Sequence, residues 1–332
     1  LLHHLAASIW LAENLQPFER DPRTYSDYIS DSTFLLLAQS TLPKETNIAH
    51  CIARMAEIPK VVAAARENLS NPPRVATETA ILQNRGAIAF YERGILDLAG
   101  ETPQRAELAE AARTVAGCLK GYQEFLEKDL LPRANGQWRI GREKFARKLD
   151  LELDSGATAE QVLADAESEF ARVESEMVVI ARQLWSRYYP RQPLPPDDAE
   201  GRRLTVEKVL TSVGKEHGRP EDLAGDARAS VARIKQFIEQ NGILRLPQPD
   251  HCQVIEMPEF KRGNSTAYLE SAPPLDPNAP SMYAVSPPPA DWDQQRVNSL
   301  LEEYNRHRLQ ILTIHEAYPG HYVQLEYSNR NP

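Results

Sequence analysis

The run TAEQVLADAESEFARVESEMVVIARQLWSRY, Thr158 to Tyr188, decides the fold class. Val162, Leu163, Ala166, Phe170, Val173, Met177, Ile180, Ala181 and Leu184 follow one another mostly at steps of three and four, which sets them along one side of an α-helix. The opening Thr158-Ala159-Glu160-Gln161 has the form of a capping box. A hydroxyl accepts from the first free amides, and a Gln three residues on returns the bond. The same periodicity spreads outward. Ala106 to Leu131 places Leu108, Ala111, Ala112, Val115, Leu119, Tyr122, Phe125, Leu126 and Leu130 mostly at helical spacing, and residues 48–69, 77–98, 206–217 and 221–240 read as shorter helices. Together they predict a mainly α protein, a bundle of six or more helices.

Two stretches interrupt the pattern. Residues 190–203 hold Pro190, Pro193, Pro195 and Pro196 and read as a loop or linker. Ten prolines fall between Arg245 and Ala290. Among them Cys252-Gln253-Val254-Ile255-Glu256 and Tyr283-Ala284-Val285 predict short strands. Phe260, Tyr268 and Tyr283 reward packing, so this part reads as a small β element around 252–285, with ordered loops over a site. The chain then divides into a helical region 1–189, a proline-rich linker or loop 190–203, and a part 204–332 with helices and the sheet. The first and last parts are equally readable as one continuous domain.

Composition narrows the function classes. The 332-residue chain is 42% hydrophobic and 26% charged, ordinary for a globular protein, and its formal net charge is −9. An acidic chain lacks the basic stripe that neutralises phosphates, so no nucleic-acid partner is expected. No apolar run reaches membrane-spanning length. Cys51, Cys118 and Cys252 are odd in number and dispersed, which leaves no basis for a disulfide framework or a thiolate zinc site. The first residues, Leu1-Leu2-His3-His4, carry no leader pattern, so cytoplasmic and exported locations stay equally open, as does the oligomeric state.

From Trp292 the chain returns to helix. Val297, Leu301, Tyr304, Arg308, Ile311 and His315 follow at steps of three and four, so His315 is expected on an inward stripe. His315-Glu316-Ala317-Tyr318-Pro319-Gly320-His321 then brings together the residue types of a hydrolytic zinc site. Neutral imidazoles bind zinc, and a carboxylate beside the metal takes the proton of the attacking water. The spacing is unusual. Two histidines six apart stand about 240° apart on a straight helix, so His321 would point away from His315. Pro319 cannot donate to the helix and must bend or end it, and Gly320 admits conformations closed to other residues. A break at this pair is expected to swing His321 back, with Glu316 as general base and His315 and His321 as ligands of one zinc ion. The bland alternative is two unrelated histidines, one packed and one on a loop.

His-Glu-Ala-Tyr-Pro-Gly-His at 315–321, followed by Gln324, resembles the signature of a bacterial family known as domain of unknown function 885. Ile140-Gly141-Arg142-Glu143-Lys144-Phe145 with Leu149, Met257 to Gly263, and Ala272 to Asp276 are similar to other positions of that family. The resemblance implies a helical, zincin-like architecture and kinship with gluzincin-type zinc metallopeptidases, acting on a peptide or a small amide. It also carries two departures. Tyr322 stands where the family has a second histidine. The family's third ligand lies in a later segment resembling Glu-Gly-Trp-Ala-Leu-Tyr, whereas this chain ends at Pro332 with Glu326 its only carboxylate side chain after His321. A chain truncated before its third ligand is therefore expected, holding zinc weakly or not at all by itself. Tyr318, Tyr322, Tyr268, Tyr283 and Arg262 are candidates to line a substrate cleft, and core packing serves each tyrosine equally well. The alternative from another class is a non-catalytic peptide-binding protein, a degenerate relative of the peptidases.

Overall fold

The structure, a computed structural model, describes residues 2–276 and 278–330. The terminus at Pro332, to which the missing ligand was tied, lies outside them. The chain is mainly helical with one three-stranded sheet. It gathers into two compact units, each drawn from separated stretches: 1–9, 141–226 and 288–311 in one, 10–140, 227–287 and 312–332 in the other. No helix among the described residues is long and apolar enough to cross a membrane.

The larger unit is built on helices Arg23–Ala38, Lys44–Asn68, Arg74–Ala89 and Arg105–Phe125. Most of the stripe read from Leu108 to Leu130 is buried: Leu108, Val115, Leu119, Tyr122, Leu126 and Leu130 have no exposed surface, while Ala111 and Phe125 are partly buried against the same core. They meet Ile29, Ile48, Cys51, Met55, Val62, Ile81 and Ile95 in one core. Each such aliphatic side chain contributes about 1.5–3 kcal/mol of burial. Gly86 admits the segment that carries the sheet. A Cβ there would stand 2.6 Å from the Glu259 carbonyl carbon and the Phe260 nitrogen. The bare backbone thus lets Phe260 reach into the core, against Phe34 and Phe90 at ring separations of 5.4 and 5.1 Å.

The sheet has the order β1-β3-β2, with β1 at Cys252–Glu256, β2 at Ala267–Glu270 and β3 at Ser281–Val285. β1 runs parallel to β3, with Val254 opposite Tyr283, and β2 runs antiparallel, with Leu269 opposite Tyr283. The central strand is buried along its whole length. Side chains alternate between the two faces. Ile255 and Met282 join the helical core, and Tyr283 on the other face meets the hydroxyl of Thr313 at 3.3 Å.

The smaller unit holds the long helix Ala159–Tyr188, and its capping box forms as the sequence indicates. The Gln161 amide donates to the Thr158 hydroxyl at 3.2 Å, and the Thr158 amide to the Gln161 side chain at 2.8 Å. Only the end of the helix is covered. Ala181 and Trp185 pack with Val209 of helix Ala199–Gly214, while Leu163 and Phe170 of the same stripe stay 59% and 72% exposed. The proline-bearing stretch joins these two helices within one unit. Its last part is already helix, with Asp198 accepting from the Gly201 amide at 2.8 Å.

Candidate metal centre

The expected continuous helix from Trp292 is two helices, Gln294–Glu303 and Arg306–Glu316. Asn305 separates them and caps the second, its side-chain oxygen accepting from the amides of His307 and Arg308 at 3.0 and 3.2 Å. This second helix ends at Glu316, and a third, His321–Arg330, starts after four residues of turn. The amides of Ala317 and Tyr318 both return to the Thr313 carbonyl, closing the helix end. Pro319 supplies no amide to prolong it. Gly320 then lies so near the carbonyls of Ile314 and His315 that any Cβ would overlap them. The chain doubles back at that point because a glycine lets it approach its own helix.

The reversal brings His321 to His315. Their Nε2 atoms are 3.1 Å apart, with ring centroids at 4.6 Å and planes at 81°. Ligand atoms of His315, Glu316 and His321 all lie within 4.8 Å of one another, and no other group of three or more such residues stands together among the described residues. Two nitrogens bound to one tetrahedral ion at about 2.0–2.1 Å are about 3.3 Å apart, so the pair is already at coordination distance. The donor set fits zinc: two imidazoles with a carboxylate alongside. One expectation is corrected. His315 sits on the exposed side of its helix, as His321 does on its own, while Glu316 is buried. The inward stripe belongs instead to Leu309, Thr313 and Glu316.

Beneath the turn lies a polar layer that no sequence motif announces. The Tyr318 hydroxyl donates to Asp250 Oδ1 at 2.6 Å. Lys235 donates to Oδ2 of the same carboxylate, and the Cys252 amide to Oδ1 at 3.1 Å. The Tyr322 hydroxyl accepts from the His251 amide at 2.8 Å. Glu326, only 2% exposed, sits between His251 at 3.2 Å and Arg330 at 2.6 Å, away from the histidine pair. Burial works to raise the Asp250 carboxyl, but the bonds from Lys235, Tyr318, Cys252 and Tyr322 outweigh it and leave it below the usual range. Burial holds both tyrosines far above an ordinary phenol, so both stay protonated.

The tyrosines expected to line a cleft are placed otherwise. Tyr318 and Tyr322 are 1% and 0% exposed, so their hydroxyls brace the turn and face no open space. Tyr283 is equally buried and close enough to Glu316 for that charge to help burial raise its phenol to about 12. Tyr268 pairs with Ala284, next to Tyr283 along β3, and so occupies the opposite face of the sheet. There it lies beside Lys261, 6.0 Å from its ring centre. Arg262 is spent on Glu256 and the Met257 carbonyl. The Val254 carbonyl of β1 accepts from Arg228 at 3.0 Å, so a substrate strand laid along this edge would meet a side chain already bonded there. Asp250 and Lys235 carried no sequence signal, because Tyr318 and Asp250 are 68 residues apart.

Two solved structures share the fold. A candidate lipoprotein of unknown function from Shewanella oneidensis is 27% identical with a TM-score of 0.64, over 99% of this chain and 59% of its own. A candidate lipoprotein from Colwellia psychrerythraea is 17% identical with a TM-score of 0.56, over 84% of this chain and 49% of its own. The chain thus spans about half to three fifths of the length of these structures. No curated protein matches it. The match to a bacterial family of unknown function runs over residues 2–332, and the chain belongs to that family, DUF885.

Proposed function

We propose that this chain carries the catalytic motif of a zinc-dependent hydrolase of the zincin-like kind, acting on peptides. The observation that carries the proposal is the 3.1 Å approach of two imidazole nitrogens around a Pro-Gly turn, with Glu316 next to one of them. His315 and His321 would hold the ion. Bound zinc would supply a Lewis acid that makes water a nucleophile near neutral pH and stabilises a developing oxyanion. Glu316, buried at the helix end, would take the proton from the attacking water and pass it to the leaving amine. Tyr318 and Tyr322 hold the turn and leave the exposed imidazole side open to substrate. A further protein ligand is required if Glu316 is to act as base. None stands beside the pair among the described residues; the family resemblance implies one in a later carboxylate-bearing segment.

A second proposal, a peptide-binding protein without catalysis, reads the same contact without an ion. Without a metal, the 3.1 Å contact is a hydrogen bond between two imidazoles, one donating and one accepting.

Metal analysis of the protein on its full natural chain, alongside Glu316→Gln and His315→Ala, decides between them. The hydrolase requires one zinc per chain in the wild type and in Glu316→Gln, with peptide hydrolysis reduced about 10²–10⁴-fold in that variant, and zinc lost in His315→Ala. A natural chain without stoichiometric metal and without hydrolysis favours the binding protein.

A further inference from the structure

We propose that Asp250 is the positioning residue of the metal centre, fixing the turn between the two histidines through Tyr318; this rests on the zinc proposal above. The turn 317–320 is only four residues long and its two imidazoles are exposed, so packing around the rings themselves does not fix their separation. What holds them lies underneath. Tyr318 is the second residue after Glu316, and its hydroxyl ends on Asp250 Oδ1 at 2.6 Å. Tyr322 directly follows His321, and its hydroxyl accepts from the neighbouring His251 amide at 2.8 Å. The two rings meet edge to face at 5.2 Å. Residues 250 and 251 thus grip the turn from both sides at the point where β1 begins.

Asp250 is the hub of this grip. Its two oxygens receive Lys235, the Tyr318 hydroxyl and the Cys252 amide. It therefore ties the turn to β1 and to helix Leu223–Gln240, which bears Lys235. Removing the carboxylate charge weakens the acceptor for a hydroxyl buried at 1% exposure, and such a hydroxyl has no water to turn to. The turn then gains freedom, and the imidazole separation broadens. Bonds of about 2 Å tolerate little of that, so metal affinity falls before the fold does. Groups that orient ligands from behind are typically worth about 10–100-fold in metal affinity.

The test is zinc titration of the natural full-length protein against a competing chromophoric chelator, well below the melting temperature, for wild type, Asp250→Asn, Tyr318→Phe and their double variant. Leu119→Ala, in the helical core, serves as the destabilised control. The proposal expects each single variant to bind zinc about 10–100-fold more weakly. The double variant should be no weaker than the worse single, because both remove one link. Cobalt substituted for zinc should show an altered visible spectrum in these variants alone, and Leu119→Ala should melt earlier with unchanged affinity and spectrum. Wild-type affinity in Asp250→Asn and Tyr318→Phe overturns the positioning role and leaves the zinc site standing. A wild type that binds no zinc overturns both. If Asp250→Asn does not fold, Tyr318→Phe, which removes a single oxygen, still decides.

Discussion

A Cβ on Gly320 would stand 1.9 Å from the carbonyl oxygen of His315, leaving no room for a side chain of any size. That approach folds the chain back on the end of its own helix and puts His321 beside His315. In Gly320→Ala the new methyl must push the turn away from the Ile314 and His315 carbonyls. The expected cost is about 1–3 kcal/mol, the usual range for forcing atoms into a filled space, seen as a lower urea midpoint. Zinc affinity should fall at least tenfold as the imidazoles separate. An alanine variant with wild-type midpoint and affinity would falsify the role given to this contact.

The helical stripes and the cap at Thr158 were legible because their signals are local: spacing along one helix and a reciprocal bond within four residues. The motif at 315–321 was legible for the same reason, down to the Pro-Gly break. The exposed position of His315 was not, since Asn305 restarts the helix and shifts which residues face inward. β2 escaped notice because four residues, Ala267 to Glu270, are too few to show alternation. The layer under the motif is assembled from Lys235, Asp250 and Tyr318, residues with no sequence proximity, and only the folded chain brings them together.

Glu270 shows how burial changes the acid side of stability. Burial, aided by the charge of Asp31 and opposed by Lys261, raises its carboxyl above the ordinary value. For a raised carboxyl, the stability it contributes is complete below its unfolded value, about 4.3, and is lost as pH rises through the folded value. Once ionised, it is a net cost. Glu270→Gln is therefore expected to raise the urea midpoint at pH 7 and to lie much closer to wild type at pH 4. A lower midpoint at pH 7 would mean that attraction to Lys261 exceeds the burial cost.

Tyr122 has no exposed surface, and its hydroxyl finds no hydrogen-bond partner among the described residues. A buried hydroxyl without a partner forfeits its bond to water and gains nothing in return. Tyr122→Phe keeps the ring, its stacking on Phe125 at 6.0 Å and almost all of the volume. It should stabilise the larger unit by about 1 kcal/mol, measured by chemical denaturation with an unchanged slope. A destabilised phenylalanine variant would show that the hydroxyl is bonded in solution, most simply to an internal water.

Trp185 is to the smaller unit what the whole 108–130 stripe is to the larger one. The core around it is slight, chiefly Ala181 and Val209 with partly buried neighbours. The indole, 4% exposed, stacks on Tyr189 at 4.7 Å and donates its N–H to the Gln192 carbonyl at 3.0 Å. It thereby fastens the proline-bearing loop as well as the helix pair. Trp185→Ala should cost about 3–5 kcal/mol, a large share of what so small a core supplies. Hydrogen exchange should lose protection across 181–214, while amides in 108–126, deep in the other core, keep theirs, as expected of parts that open separately. Equal loss of protection in both stretches would show that the two units unfold together, and the loss at 108–126 would then measure how strongly they are coupled.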